Sequence, residues 1–345
     1  MTTAQAPINV CDIGGRFGFH RSWADFTLPV NYYCFDADPD EAERLRHQAE
    51  ASAGAKPITV VSGAVAERVG TAPFYLYSFR AASSLYELNT EATYRYRNLT
   101  LDEVLTVNTI NLDAFLEQQK AVPHFVSIDA QGASLQILRG GQKALQECLG
   151  VRCELEFFQL YKNAPLAGEA LAFMRSKGFR LLRLEMCGPG LYGISTEMNS
   201  FSVSPWDAKP SSCDAILANE ERISAIYTDP TLPDCALLFG YFVAFCIFNG
   251  CGYYGLELVQ GLKDRDLLGR TLEAMPGSVA ENVKALCNFY LALPRPYVKT
   301  DFRENLNTAF DGNAIATSLF GHSGYALAKQ AETKLRKIYS QPYEP

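Results

Sequence analysis

The sequence predicts an α/β fold: a doubly wound, mostly parallel sheet with an antiparallel edge strand, followed by an all-helical region. Three observations predict it. Short apolar runs alternate with helix-spaced amphipathic stretches through the first two-thirds of the chain. Those runs are nearly continuous in apolar residues, as in strands covered on both faces. From about residue 220 only helix-like segments remain.

INVCDIG (8–14) reads as a buried strand, and NYYCFDAD (31–38) as a second. DEAERLRHQAEASAG (40–54) has helical spacing, and ITVVSGAVA (58–66) is a third strand. HFVSIDAQG (124–132) is a fourth, followed by helical ASLQILRGGQKALQECL (133–149). VRCELEFFQLY (151–161) is a fifth. GEALAFMRSKGF (168–179) is helical and reaches a C-cap at Gly178. RLLRLE (180–185) is a sixth strand, and CDAILAN (213–219) returns beside it as an antiparallel pair at the sheet edge. Residues 187–212, rich in Gly, Pro and Ser, form a long excursion between them. Strand–helix alternation of this kind builds a sheet with helices on both faces. The expected boundaries are 1–219 for the α/β domain and 220–345 for the helical one.

Size and composition fit this division. The chain has 345 residues, 48% of them hydrophobic and 20% charged, an ordinary globular mixture. Its formal net charge is −7, and residues 1–222 carry 26 acidic against 20 basic side chains, or −6. Neither part is basic, so nucleic acid is not an expected partner. There are ten cysteines without a C-x-x-C pair and four histidines, which argues against structural zinc and for buried thiols in a reducing compartment. The N-terminal MTTAQAPINVCDIGG has no basic start and apolar core of a signal peptide. The longest apolar run, CALLFGYFVAFCIF (235–248), falls short of the ~20 residues that span a bilayer, so it is read as a buried helix. The expectation is a cytoplasmic protein without a transmembrane segment.

Three motifs carry chemistry. In CDIGGRFG (11–18), Asp12 stands two residues before a glycine turn that directly follows a buried strand. Glycines at positions 14, 15 and 18 let backbone approach a ligand, and a following helix start offers free N–H groups. Dinucleotide sites use such a turn for a pyrophosphate, which the Asp12 carboxylate would repel. The same carboxylate attracts an amino-acid ammonium, which favours S-adenosylmethionine over NAD; a tight turn without a ligand is the plain alternative. In CFDAD (34–38), Asp36 ends the second strand, where an acid accepts both ribose hydroxyls of an adenosyl group. Asp38 competes for that role, and capping the next helix is the alternative for Asp36. Ala37 beside it, and Ser62 to Ala64 at the third strand's end, fall near the adenine. In SIDAQGASLQIL (127–138), Asp129 ends the fourth strand, at the crevice outside the strands' carboxyl ends. Glu154 and Glu156 share one face of the fifth strand, among Val, Leu and Phe that give little reason for two glutamates.

In order, CDIGGRFG, YCFDADP, SSLYEL (83–88), VNTINLDAFLEQ (107–118) with FVSIDAQGASLQILRGG, and CELEFFQLYKNAPLAGEALAFMRSKGFRLLRL resemble the FkbM-type S-adenosylmethionine-dependent methyltransferases. CDAILAN resembles that family's closing strand, so the resemblance covers about residues 8–219. It implies a Rossmann-like class I methyltransferase fold and O-methylation of sugar, glycan or polyketide-like hydroxyls. By position it implies Asp12, Gly14 and Gly18 at the methionine end of the donor, Asp36 at the ribose, Asp129 beside the methyl or acceptor, and Glu154 facing the acceptor. The chain departs from the family at Ser127, where Lys is usual, and at Ser134, where an acid is. Asp36-Ala37 replaces Glu-Pro, and Gly15-Arg16 replaces Ala-Asn.

A hydroxyl acceptor needs a proton acceptor in the transition state. Asp129 and Glu154 are the candidates, with His20 a third; the two carboxylates are also an alternative pair of Mg²⁺ ligands. Glu156, Tyr161, Ser84 and His20 are candidate acceptor contacts. Ser84, with Ser83 and Tyr86, lies in a loop read as folding over the cofactor, and Tyr192 and Trp206 lie in a lid-like excursion. The helical region is assigned to acceptor recognition, capping or homo-oligomerisation. Two other classes stay open at this point: a nucleotide-cofactor enzyme on a similar sheet, and a catalytically silent binding module.

Overall fold

The computed structural model describes residues 8–16, 30–51, 57–90, 99–186, 189–190 and 209–292. The chain divides into two compact units, with Arg222 in the first and Ile223 in the second. In chain order the first unit has strands β1 (Ile8–Ile13) and β2 (Val30–Asp36), helix α1 (Pro39–Ala51), β3 (Ile58–Ser62), β4 (Ala64–Val65), β5 (Gly70–Tyr77) and β6 (Leu101–Ile110). Then come α2 (Leu112–Gln119), β7 (Phe125–Ile128), α3 (Ser134–Arg139), α4 (Gln142–Glu147), β8 (Gly150–Glu156) and α5 (Ala167–Ser176). It closes with β9 (Phe179–Met186), the two-residue pair β10 (Pro189–Gly190) and β11 (Lys209–Pro210), and β12 (Ser212–Asn219).

Seven strands form the main sheet in the order β3-β2-β1-β7-β8-β12-β9. Strands β3, β2, β1, β7 and β8 pair in parallel, and β12 runs antiparallel to both β8 and β9. This is the Rossmann-like class I methyltransferase arrangement that the sequence predicts. The antiparallel pair lies at one edge, as the sequence predicts. β12 inserts between β8 and β9, so the outermost strand is β9. The reason is visible in burial: every described residue of β12 except Asp214 is buried, while Leu181 and Leu184 of β9 are exposed.

Period-2 alternation sorts the side chains. Cys11 and Ile13 of β1, Tyr33 and Phe35 of β2, and Val151, Cys153 and Leu155 of β8 enter one core with Phe115, Ile137 and Met174 from the covering helices. Phe115 meets Phe35 edge-on at 4.8 Å, a favoured aromatic geometry. Asp12, Asp36, Arg152, Glu154 and Glu156 have the opposite parity. Helix α2 starts where the Asn111 side chain accepts the Ala114 amide at 2.7 Å, and it stops at Lys120, whose φ of 51° breaks the helical path. A second sheet, β4-β6-β5, was not expected from sequence. The single strand read over 58–66 is two: Gly63, at φ 144°, turns the chain from β3 into β4.

One packing detail carries a pH prediction. The His124 ring accepts the Asn9 amide on Nδ1 at 3.0 Å, and burial lowers its pKa from 6.5 to about 4. The unfolded chain therefore binds the proton first as pH falls. His124 alone should take up to about 3 kcal/mol from stability between about pH 6.5 and pH 4, with no further loss below. Its share is read by comparing wild type with His124→Asn, whose side-chain oxygen accepts the same amide without titrating. The urea midpoint of the wild type, relative to that of the variant, should be lower at pH 5 than at pH 7.

The described part of the second unit is helical: α6 (Glu220–Thr228) crosses into it, followed by α7 (Pro233–Phe248), α8 (Gly252–Asp264), α9 (Leu268–Ala274) and α10 (Gly277–Ala292). Helix α7, expected to be a core helix, is buried around most of its circumference and packs against α8, α9 and α10. No helix among the described residues is long and apolar enough to cross a membrane.

Candidate active site

The strands on either side of β1 are β2 and β7, so the chain's strand order reverses at the β1–β7 boundary, where open α/β sheets bind ligands. The carboxyl ends of β1, β2, β7 and β8 place the predicted residues there. The β1 turn is built from backbone. The Gly14 and Gly15 amides both donate to the Phe35 carbonyl, at 2.9 and 3.3 Å, and the Asp129 amide donates to the Ile13 carbonyl at 2.8 Å. Gly14 has φ +87°, and a Cβ there would stand 1.8 Å from the Asp129 carbonyl oxygen. Only glycine lets the β1 turn and the end of β7 approach this closely.

Asp12 lies beneath the turn, 4% exposed, and accepts a hydrogen bond from the Tyr32 hydroxyl. Its carboxylate faces Gly15, whose Cβ would come 3.7 Å from Asp12 Oδ2. Gly18 and His20 lie outside the described residues, as do Tyr192 and Trp206.

Asp36 ends β2 in a buried position, and its Oδ1 accepts the Asp38 amide at 2.9 Å. Burial raises its pKa to about 6, against the opposing effect of that hydrogen bond. The helix cap is Asp38, not Asp36: Asp38 Oδ1 accepts the Asp40 amide at 3.1 Å, one residue past Pro39 at the first helical position. The other Asp38 oxygen takes Arg16 Nη2 at 2.6 Å, tying the β1 turn to the start of α1. Ser62 is paired in register with Asp36 and is exposed at the end of β3. Ala37 is half-buried beside it, against the core of the second sheet. Ala64 is not brought to the rim; it is a core residue of that sheet, with Phe74, Leu76 and Val107.

Asp129 and Glu154 do come together. They are hydrogen-bonded to each other, and the Gln131 amide bridges them, with Nε2 2.7 Å from Asp129 Oδ1 and 2.8 Å from Glu154 Oε2. Desolvation in the crevice raises both carboxyls. Asp129 keeps an exposed edge, and the hydrogen bonds from Glu154 and Gln131 counter its rise. Glu154 is half-buried; it is raised well above the carboxylate range by desolvation and by facing Asp129, Glu156 and Asp214. Burial and the facing carboxyls thus favour the neutral form of Glu154, and the hydrogen bonds from Glu154 and Gln131 favour the ionised form of Asp129. Glu156, 3% exposed, is raised to about 7 by burial, although its own backbone amide and that of Gly132 hydrogen-bond to its carboxyl. Its Oε1 has no hydrogen-bond partner.

Two expected acceptor contacts are corrected. Tyr161 is fully buried and lines no open surface; its hydroxyl lies 2.8 Å from Gln131 Oε1 and 3.1 Å from the Ala82 carbonyl. Ser84, read as part of a loop over the cofactor, is 1% exposed and donates to the Gln131 carbonyl at 2.5 Å. Ser134, one of the departures from the family pattern, ties the start of α3 to β8 through the Glu154 carbonyl at 2.6 Å. Gln131 itself escaped sequence reasoning. Apart from Asp129, its partners are 23 to 47 residues away, and the local clue is only a polar side chain before Gly132.

The Gln131 amide donates to one oxygen of each of the two carboxyls that sequence offered as magnesium ligands, and the described residues contain no group of three His, Cys, Asp or Glu that could hold a metal. For an adenosyl donor the crevice offers the glycine turn at the end of β1 and the Asp36 carboxyl at the end of the neighbouring strand β2.

Residues 12–181 match the model of the methyltransferase FkbM domain. No curated protein matches the chain. Among solved structures, a precorrin-6y C5,15-methyltransferase from Geobacter metallireducens is similar at 8% identity and TM-score 0.30, covering 62% of this chain and 82% of that one. A putative tRNA (m1A22) methyltransferase from Streptococcus pneumoniae gives 10% identity and TM-score 0.32, covering 82% and 94%. A structure described under the conversion of a disulfide bond into a thioacetal group during echinomycin biosynthesis gives 11% and 0.29, covering 64% and 79%.

Proposed function

We propose that this chain, which residues 12–181 place among the FkbM methyltransferases, methylates a hydroxyl oxygen of a sugar, glycan or polyketide-like small molecule. The observation that carries this reading is the Asp129–Glu154 pair, bridged by Gln131 at the carboxyl ends of β7 and β8. Methyltransferases of this family use S-adenosylmethionine, which supplies an electrophilic methyl group on a sulfonium. The β1 turn at Gly14 and Gly15 takes the methionine end. Asp36 accepts the ribose hydroxyls, with Ser62 at the adenine edge. Asp129 is the proton acceptor: as the hydroxyl oxygen bonds to the methyl carbon and the carbon–sulfur bond breaks, the hydroxyl proton passes to its carboxylate. Positioning the oxygen in line supplies much of the acceleration, and the base adds its share. Comparative mass spectrometry of metabolites and glycans from cells with and without the protein tests the reading. One added methyl group on a hydroxyl compound is expected, and transfer only to nitrogen, carbon or sulfur would overturn it.

The ribose assignment has its own test. Asp36→Ala should weaken S-adenosylhomocysteine binding by about 10- to 100-fold, the loss of one or two hydrogen bonds to a charged group. Because Asp36 gains its proton near pH 6, wild-type affinity should also fall as pH drops below about 6. Calorimetry that found Asp36→Ala binding unchanged would assign the ribose elsewhere.

A further inference from the structure

We infer that Gln131 is a positioning residue whose side-chain amide, donating to one oxygen of each carboxyl, orders the Asp129–Glu154 pair so that Asp129 presents its carboxylate to the acceptor. This rests on the reading of Asp129 as proton acceptor and adds the residue that selects it.

Gln131 is held from three directions. Its φ of 51° is a left-handed conformation that L side chains rarely adopt. Ser84 fixes its carbonyl from the loop after β5, 47 residues away in sequence. The Tyr161 hydroxyl, 2.8 Å from Oε1, sets which end of the amide faces the carboxyls. The nitrogen carries two N–H donors and no lone pair, and its two contacts go to one oxygen of each carboxyl. A donor aimed at a carboxyl favours the ionised form. Asp129 receives such donors from both Gln131 and Glu154. The next residue continues the pattern, because the Gly132 amide hydrogen-bonds Glu156. The loop after β7 thus touches all three carboxyls of the crevice. The other charged groups there are Asp214 on β12, in register with Glu154, and Arg152 on β8, whose Nη2 is 2.6 Å from Asp214 Oδ2.

The test is a carbon-13 NMR titration of the Asp and Glu side-chain carboxyls in the full chain, with Asp129→Asn and Glu154→Gln assigning the two signals. In Gln131→Leu the Asp129 midpoint should rise by about one pH unit or more. In Gln131→Glu, where an acceptor replaces the donors, it should rise further. Tyr161→Phe, which frees the amide to turn, should move it in the same direction by less, and serves alone if Gln131→Leu does not fold. S-adenosylhomocysteine binding verifies that each variant is folded. An Asp129 midpoint that stays in place in a folded Gln131→Leu protein, or in Tyr161→Phe where that variant stands alone, overturns the inference. If the midpoint moves but no hydroxyl is ever methylated, only the functional reading falls.

Discussion

Asp129→Asn should lower kcat by about 10²- to 10⁴-fold with the acceptor that metabolite comparison identifies. S-adenosylhomocysteine affinity should stay within a few-fold. The substitution keeps the size of the side chain but removes the carboxylate proposed to take the proton. Glu154→Gln gives the contrast. A glutamine amide still donates toward Asp129, and burial already favours the neutral form of the group it replaces. Its cost should be about tenfold or less, with a shifted acidic limb in the pH–rate profile, because Asp129 no longer has a titrating partner. The two variants measured side by side identify the base. A larger loss in Glu154→Gln would move the role from the strand end of β7 to the face of β8.

Sequence patterns reached much of this and stopped for identifiable reasons. The parallel strands β1, β2, β7 and β8 were legible because both faces are covered, so their apolar runs are nearly unbroken. Asp12, Asp36, Asp129 and Glu154 were legible because a carboxylate at the end of such a run has no packing reason to be there. Strands β5 and β6 were not. Thr71, Pro73 and most of Leu101–Asn108 face solvent, so their mixed polarity resembles loop. Likewise Gln131 was invisible because its importance lies in contacts with Ser84, Glu154 and Tyr161, which only the folded chain brings together. Tyr161 shows the complementary error. An aromatic after a strand end suggested a pocket wall, yet its ring packs within 3.0 Å of where a Gly132 Cβ would be, deep in the core.

Gly14→Ala should be the most damaging single-methyl change in the first unit. The added carbon would sit 1.8 Å from the Asp129 carbonyl oxygen and 2.7 Å from its carbonyl carbon, so backbone must move rather than a flexible side chain. Overpacking of this kind costs about 1–3 kcal/mol or more, and φ near +87° adds about 1–2 kcal/mol for an L side chain. The displacement cannot be shared evenly. On one side the turn is fixed by two hydrogen bonds to Phe35, and on the other Asp129 is fixed by its amide to Ile13. Whichever yields, the β1 turn and the end of β7 separate. Urea denaturation should therefore show a loss of roughly 3 kcal/mol, accompanied by loss of S-adenosylhomocysteine binding in the protein that still folds. Gly168→Ala on α5 is the control: nothing lies within 4 Å of its would-be Cβ, and alanine in a helix is neutral or stabilising by up to about 1 kcal/mol. Equal stability of the Gly14 and Gly168 variants would mean that the β1 turn and the end of β7 do not meet as described. The geometry that brings donor and base together would then have to come from another part of the crevice.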